Sequence, residues 1–259
     1  MDLDLKGKCA LITGGSRGIG RATALALAKE GARIAIAARG PEQLARTAAE
    51  IAALGAEVIT IPADFTEEGA STRAVETAIS ALGGLDILIA NAGGSFGARE
   101  HAEATEADWE KTFRFNVVHA VSALQAARPA LTASGQGSAI FIASISGRAP
   151  ATRGAQYAAA KAALIQSARS LAWELGPERI RVNTVSPGSI LFPGGGWERT
   201  RAERPEDFAA FEANDFPWQR LGTDTEVADA ITFLASPKAS WINGADIHVD
   251  GGQRRPSIR

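Results

Sequence analysis

Tyr157 is the only tyrosine in this 259-residue chain, and Lys161, one of six lysines, follows it by four positions. Ser144 stands thirteen residues earlier, in Ala143-Ser144-Ile145-Ser146-Gly147. A phenol with a pKa of about 10 is a poor acid or base near neutrality. An ammonium one helical turn away, at ~6 Å and an effective dielectric of ~20, favours the phenolate by roughly 2–3 kcal/mol. That brings the pKa down by about two, toward the range in which general acid/base catalysis works. An isolated Tyr-x-x-x-Lys on an alanine-rich helix reads more readily as a core tyrosine beside a solvated lysine, so the rest of the chain has to decide.

The elements that would position these residues alternate. Short apolar runs, expected to be strands, lie at 9–12, 33–37, 57–61, 87–90, 139–142, 180–185 and 246–249. Continuous apolarity rather than alternation marks strands buried on both faces, as in parallel sheets. Helical periodicity fills 19–30, 41–54, 67–82, 106–133, 155–175 and 224–235. The expectation is an α/β fold, a doubly wound parallel seven-stranded sheet with helices on both faces, forming a single domain over 1–259. Residues 189–220 break the rhythm with Pro193-Gly194-Gly195-Gly196-Trp197, a charged stretch and Phe216-Pro217-Trp218. An insertion of this length after a strand reads as a substrate lid, with Trp197 and Trp218 as candidate substrate contacts. Trp109 and Trp173 lie in helices and read as packing residues. The basic tail, Gln253 to Arg259, reads as disordered or as reaching a neighbouring subunit.

Composition narrows the classes. The chain is 46% hydrophobic and 22% charged, ordinary for a protein with a full core, and its net charge of −2 gives no case for nucleic acid or an anionic membrane. No apolar run reaches the length of a membrane span, and no signal peptide is evident, so a cytoplasmic protein is expected. The single Cys9 excludes an internal disulfide, and His101, His119 and His248 lack the spacing of a metal site, so no metal is expected. Ser144 has no Gly-x-Ser-x-Gly around it and no evident His/Asp partners, which argues against acyl transfer.

Directly after the first strand comes Thr13-Gly14-Gly15-Ser16-Arg17-Gly18-Ile19-Gly20, opening a helix. Such a turn lets the backbone approach a pyrophosphate, and the helix N-terminus offers free N–H groups and a positive dipole. The spacing is neither Gly-x-Gly-x-x-Gly nor a P-loop. Asn91-Ala92-Gly93 follows the fourth strand at the sheet edge where such folds bind ligands.

In order and spacing, Thr13-Gly14-x-x-x-Gly18-Ile19-Gly20, Asn91-Ala92-Gly93, Ser144, Tyr157-x-x-x-Lys161 and Pro187-Gly188 resemble the short-chain dehydrogenase/reductases. The resemblance runs from about residue 5 to Val249-Asp250-Gly251-Gly252. It implies a Rossmann-type sheet with a nicotinamide cofactor across the strand C-termini. It also implies a catalytic set of Ser144, Tyr157 and Lys161, joined by Asn116. Tyr157 would give its proton to a carbonyl oxygen that Ser144 holds. Lys161 would tune the phenol and grip the nicotinamide ribose, and Asn116 would hold a proton-relaying water. Gly14, Ser16, Gly18, Ile19, Gly20, Asn91, Ala92, Gly93, Pro187, Gly188 and Ile190 would bind the cofactor, with Asp64 and Phe65 at its adenine. Asp64 reads equally as a helix N-terminal carboxylate. Two positions depart from the family pattern: Ala90 replaces an asparagine, and Phe192 replaces a threonine that helps hold the carboxamide.

The second strand ends Ala37-Ala38-Arg39, with no acid before Glu42 where NAD enzymes place a ribose-binding carboxylate. Arg39, together with Arg17 in the glycine turn, could instead fork a 2′-phosphate. NADP(H) is therefore expected over NAD(H). Ser16-Arg17-Gly18-Ile19-Gly20 and the stretch from Arg181 to Gly188 resemble 3-oxoacyl-carrier-protein reductases most. Docking an acidic carrier needs basic residues, however, and the resemblance places them where this chain has 132–137 and Trp173, none of them basic. The expectation is an oxidoreductase for a small or medium-sized ketone or secondary alcohol. The carrier-linked substrate, with acyl carrier protein as a partner, is disfavoured but stays open, and so does a redox-inactive NADP sensor or scaffold. The resemblance further implies a homotetramer built on the helices at 106–133 and 155–175.

Overall fold

The computed structural model describes residues 1–151 and 153–256. Seven strands form one parallel sheet: β1 (Cys9–Thr13), β2 (Arg33–Ala38), β3 (Val58–Pro62), β4 (Ile87–Ala90), β5 (Ser138–Ile142), β6 (Arg181–Pro187) and, last in the chain, β9 (Asp246–Val249). Their order is β3-β2-β1-β4-β5-β6-β9, so the direction of winding reverses between β1 and β4. Thr13 sits there with Ala37 on one side and Ala90 on the other. This reversal opens a crevice at the carboxyl ends of the strands, where open α/β sheets take their ligands.

Strand residues alternate between two cores because successive side chains point to opposite faces. Leu11, Leu88, Phe141 and Val182 pack beneath α3 (Ala70–Leu82), α5 (His119–Ala133) and α6 (Ala155–Leu175). Ile12, Ile36, Ile89, Ile140 and Val185 pack beneath α1 (Gly18–Lys29), α2 (Pro41–Ala53) and α9 (Asp224–Ala235). Burial on both faces accounts for the continuous apolar runs. The seven-stranded, doubly wound Rossmann-type single domain expected from the sequence is the fold observed.

Two expectations change in detail. The helix expected over 106–133 is not continuous: α4 (Glu106–Phe113) passes through a π-helical turn at Arg114–Val118 before α5 begins. The insertion at 189–220 is structured rather than open loop, with short strands β7 (Ile190–Leu191) and β8 (Gly222–Thr223) enclosing α7 (Gly196–Glu203) and α8 (Pro205–Asp215). It has a small core of its own, Phe208, Phe211, Phe216 and Leu221, against which Trp197 packs. Trp197 stacks on Phe211 with centroids 5.0 Å apart and planes at 9°. Among the described residues no helix is long and apolar enough to cross a membrane.

Candidate active site

A cleft of about 1050 Å³ runs along the strand C-termini. The glycine turn, the ends of β2, β4, β5 and β6, and the start of α6 all open into it. Of the residues expected from the sequence, Gly14, Ser16, Arg17, Gly18, Ile19, Arg39, Phe65, Asn91, Ala92, Gly93, Ser144, Tyr157, Lys161, Pro187, Gly188 and Ile190 line it. Gly20, Asp64 and Asn116 do not. Gly20 lies behind the turn, where an added Cβ would come within 2.3 Å of Gly14 O and 2.5 Å of Asn91 Nδ2. Asn91 Nδ2 donates to the carbonyls of Thr13 and Gly14 at 3.0 and 3.1 Å, fastening the turn to the end of β4.

Asp64 accepts from the Thr66 N–H and hydroxyl, both at 2.9 Å onto Oδ1. Burial would raise its pKa, but these two bonds, and the charges of Arg39 and Lys111, hold it below the usual carboxylate value. Asp64 therefore closes a local turn and is not a helix N-terminal carboxylate, since α3 begins only at Ala70.

At one end of the cleft the cations collect. Arg17, Arg39 and Arg46 all line it, and no carboxylate lies within ion-pair distance of any of the three among the described residues. Arg46 was not anticipated. It lies on α2 one turn beyond Gln43, which also lines the cleft, so the i,i+3 spacing was the available signal. Thr47 Oγ1 donates to Ser16 O at 3.1 Å and so holds α2 against the glycine turn.

At the other end, Ser144 and the Tyr157/Lys161 pair converge. Lys161 is 3% exposed, and its Nζ donates to Ile142 O at 2.7 Å. The same nitrogen stands 5.5 Å from the Tyr157 ring centroid. Burial pulls the lysine pKa down to about 7. The sequence expectation for the phenol is reversed in direction. The Tyr157 side chain is half-buried with its titrating end deep in the protein, so desolvation pushes its pKa up, while the Ser144 hydroxyl and the Arg99 charge pull less strongly the other way. The pairwise estimate counted the ammonium and ignored what burial does to both groups.

The π-helical turn explains Asn116. Its Nδ2 donates to Gly94 O and Thr112 O, each at 2.7 Å, and its Oδ1 accepts from Gly94 N at 3.2 Å. A Cβ at Gly93 would fall 2.6 Å from Asn116 Oδ1 and 2.9 Å from Lys161 Nζ. Gly93 is therefore the gap through which the asparagine and the lysine approach each other, and only a residue without a side chain fits there. Widened turns of this kind recur at functional sites.

Next to it, His119 is buried between Phe65 and Phe115, and its Nε2 lies 3.0 Å from Thr13 Oγ1. Thr13 Oγ1 already accepts from the N–H groups of Asn91 and Ala92 at 3.0 and 3.1 Å. With both lone pairs used, the hydroxyl has one proton to give, to Ile89 O at 3.4 Å or to His119 Nε2 at 3.0 Å, while His119 Nδ1 is buried without a hydrogen-bond partner among the described residues. Burial, with the nearby Lys161 charge, lowers the His119 pKa to about 3 and keeps the ring neutral.

Aromatic residues of the insertion complete the cleft. Phe192 and Trp197 line it, and a Cβ at Gly18 would lie 2.8 Å from the Phe192 ring. Trp218 lies elsewhere: it is 71% exposed and borders a separate cavity of about 280 Å³ with Arg220 and His248. Of the two lid tryptophans, only Trp197 faces the cleft. Trp173, expected to pack, is 90% exposed on the outer face of α6, whereas Trp109 does pack, stacking on Phe113.

Comparison with known proteins places the chain in a family. The family model described as enoyl-(acyl carrier protein) reductase matches residues 14–254. The chain is 35% identical over 248 residues to a 2,5-dichloro-2,5-cyclohexadiene-1,4-diol dehydrogenase of Sphingobium indicum, covering 96% of each protein. The chain belongs to the short-chain dehydrogenase/reductase family.

A 3-oxoacyl-[acyl-carrier-protein] reductase of Staphylococcus aureus is 34% identical, with 95% of this chain and 97% of that protein covered. Among solved structures of this family, L-sorbose reductase from Gluconobacter frateurii, complexed with NADPH and L-sorbose, superposes with a TM-score of 0.91 at 33% identity over 98% of both chains. A 7α-hydroxysteroid dehydrogenase complexed with NADH also gives 0.91, at 31% identity, covering all of this chain and 98% of the other. The protein is thus an oxidoreductase of the short-chain family, whose relatives act on CH–OH groups and bind nicotinamide cofactors of both kinds.

The cleft fits such a cofactor on its own terms. A helix N-terminus behind a glycine turn suits a pyrophosphate, and the uncompensated guanidiniums suit further negative charge.

Proposed function

We propose that this protein is an NADP(H)-dependent reductase or dehydrogenase of a small or medium-sized ketone or secondary alcohol, with Tyr157 as general acid/base. The observation that carries this reading is the single cleft with Ser144, Tyr157 and Lys161 at one end and three guanidiniums lacking carboxylate partners at the other. When bound, the cofactor supplies or accepts the hydride at the substrate carbon. Arg17, Arg39 and Arg46 favour the phosphorylated form, since a guanidinium pairs with phosphate through parallel hydrogen bonds.

The chain's own residues handle the proton. Tyr157 is protonated at neutral pH, and its Oη donates to a carbonyl oxygen during reduction, with burial making the phenol a weaker acid than a free tyrosine. Ser144 Oγ, on the strand-to-helix turn after β5, donates to the same oxygen and stabilises the charge that develops on it. Lys161 Nζ, held by Ile142 O, is the nearest ionisable source of replacement protons. Asn116, anchored on Gly94, fixes the wall behind Lys161. Phe192, against Gly18 of the glycine turn, and Trp197 give the cleft an apolar wall from the 189–220 insertion, which suits a compact carbon skeleton, and we read the insertion as a lid. The outer faces of the 106–133 segment and of α6, with Val118 exposed at the end of the π-helical turn and Trp173 exposed on α6, are the surfaces proposed to build a homotetramer.

The decisive experiment is a panel of ketones and alcohols, including a 3-oxoacyl thioester, assayed with NADPH/NADP and with NADH/NAD. Ketone-dependent NADPH oxidation should appear and should fall by at least about 10³-fold in Tyr157→Phe, with NADPH binding retained. Turnover that survives this substitution would overturn the proposed role of Tyr157. Absence of turnover across the panel, with NADPH still bound, would favour a redox-inactive sensor.

A further inference from the structure

The tail that the sequence left as disordered or intersubunit folds back, as far as residue 256, onto its own chain; Ser257, Ile258 and Arg259 lie outside the described residues. It grips the insertion at both of its roots. At the first root, Gln253 Oε1 accepts from Ser189 N at 2.6 Å, and Gln253 Nε2 donates to Ser189 Oγ at 2.9 Å. At the second, the N–H of Arg254 donates to Asp215 O at 2.9 Å, at the last residue of α8. Arg255 then forks Asp215, with Nε on Oδ1 at 2.5 Å and a terminal nitrogen on Oδ2 at 2.6 Å. The Asp215 carboxylate has no exposed surface, and Arg255 is the one cation within ion-pair distance of it among the described residues. A carboxylate buried to that degree is stable only while its partner stays in place. The end of α8 and the tail can therefore move only together.

We propose that Gln253 and Arg255 are positioning residues that hold the 189–220 lid in its substrate-binding geometry. Neither side chain lines the cleft, although Gln253 Oε1 lies against Gly188, which does; they act through Ser189 and Asp215, which bracket Phe192, Trp197 and the aromatic core beneath them. Releasing the tail lowers the fraction of molecules whose lid is correctly placed. Apparent substrate affinity falls by that same fraction, while the chemistry inside a correctly closed cleft is unchanged.

This presupposes that residues 189–220 close over substrate, as proposed above, so the test has one arm that needs no turnover. Arg255→Met, Arg255→Lys and Gln253→Ala are compared with wild type in steady-state kinetics, in NADPH titration and in limited proteolysis of residues 193–220. Arg255→Met should raise substrate KM by roughly tenfold, change kcat by less than about threefold and leave NADPH affinity unaltered. It should also speed cleavage within the lid, and Arg255→Lys should recover part of both effects. Should Arg255→Met fail to fold, Gln253→Ala reads the same quantities from the other root. Unchanged KM and unchanged proteolysis in the folded variants would overturn the proposal. So would a parallel loss of kcat, NADPH binding and thermal stability that lysine does not relieve. If the wild type turns over no substrate, the oxidoreductase reading fails, while the proteolysis arm still tests whether the tail holds the insertion.

Discussion

Replacing Lys161 with methionine should make the protein more stable and catalytically inert at once. Burial brings this amine to a pKa of about 7, against about 10.4 in an unfolded chain. At pH 7 the folded state therefore works against protonation by about 4 kcal/mol, from 1.36 kcal/mol per pH unit over the gap, less a small allowance because half the amines are already neutral. Methionine fills nearly the same volume without that work, but it leaves Ile142 O without its 2.7 Å donor, at a cost of about 1–2 kcal/mol. Lys161→Met should thus gain about 2–3 kcal/mol at pH 7. The sign with pH is fixed. Between about 7 and 10.4 the unfolded chain binds more protons than the folded one, so wild-type stability rises with pH and the advantage of the variant shrinks, reversing at about pH 9–9.7. Urea denaturation of both proteins at pH 7, 8.5 and 10, at one protein concentration and without cofactor, measures the gap. A variant less stable than wild type at pH 7, or a gap that does not move with pH, would refute the reasoning.

Two further outcomes follow from the same geometry. Arg39→Ala and Arg46→Ala should each raise the KM for NADPH by roughly 10- to 100-fold while changing that for NADH by less than about threefold, since a hydrogen bond to a charged group contributes about 1.5–3 kcal/mol; equal effects on both cofactors would show that these arginines do not read a phosphate. His119, held neutral with a pKa of about 3, should make the protein acid-labile: below about pH 6.5 the unfolded chain binds the proton that the folded one refuses, so stability falls by about 1.4 kcal/mol per pH unit. The stability gap between wild type and His119→Gln should therefore shift by about 2–3 kcal/mol in favour of the variant between pH 7 and 4.5, measured by urea denaturation, and a constant gap would count against a buried neutral imidazole.

What the sequence disclosed and what it withheld divide along physical lines. The strands were readable because burial on both faces leaves no polar positions to interrupt them. The Tyr157/Lys161 pair was readable because four residues is one helical turn. The sign of the phenol's shift was not, because desolvation depends on what the rest of the chain packs over the site. The π-helical turn at Arg114–Val118 was equally hidden: no glycine or proline marks it, and the bonds that sustain it come from Gly94, 22 residues away. Trp173 misled because an apolar residue in a helix was assumed to face inward, and Asp215 gave no sign of its partner 40 residues downstream.

The cleft divides its work between two kinds of charge. Arg17, Arg39 and Arg46 sit where water reaches them, so the phosphate-reading end proposed for the cleft costs little stability. Lys161 and Tyr157 are the reverse: burial displaces both pKa values, the lysine's down to about 7, where proton transfer near neutrality works, and the phenol's up, away from that range. That displacement costs folding energy, so the residues that hold it belong on the rigid parts of the fold. Ile142 O is the end of a central strand and Gly93 follows another, with Asn116 locked to Gly94 beside it. The insertion, proposed above as the substrate lid, holds none of these proton-transferring groups and is tied to the tail through Asp215 and Arg255. A site arranged this way can change its substrate through residues 189–220 while its proton chemistry stays fixed to the sheet.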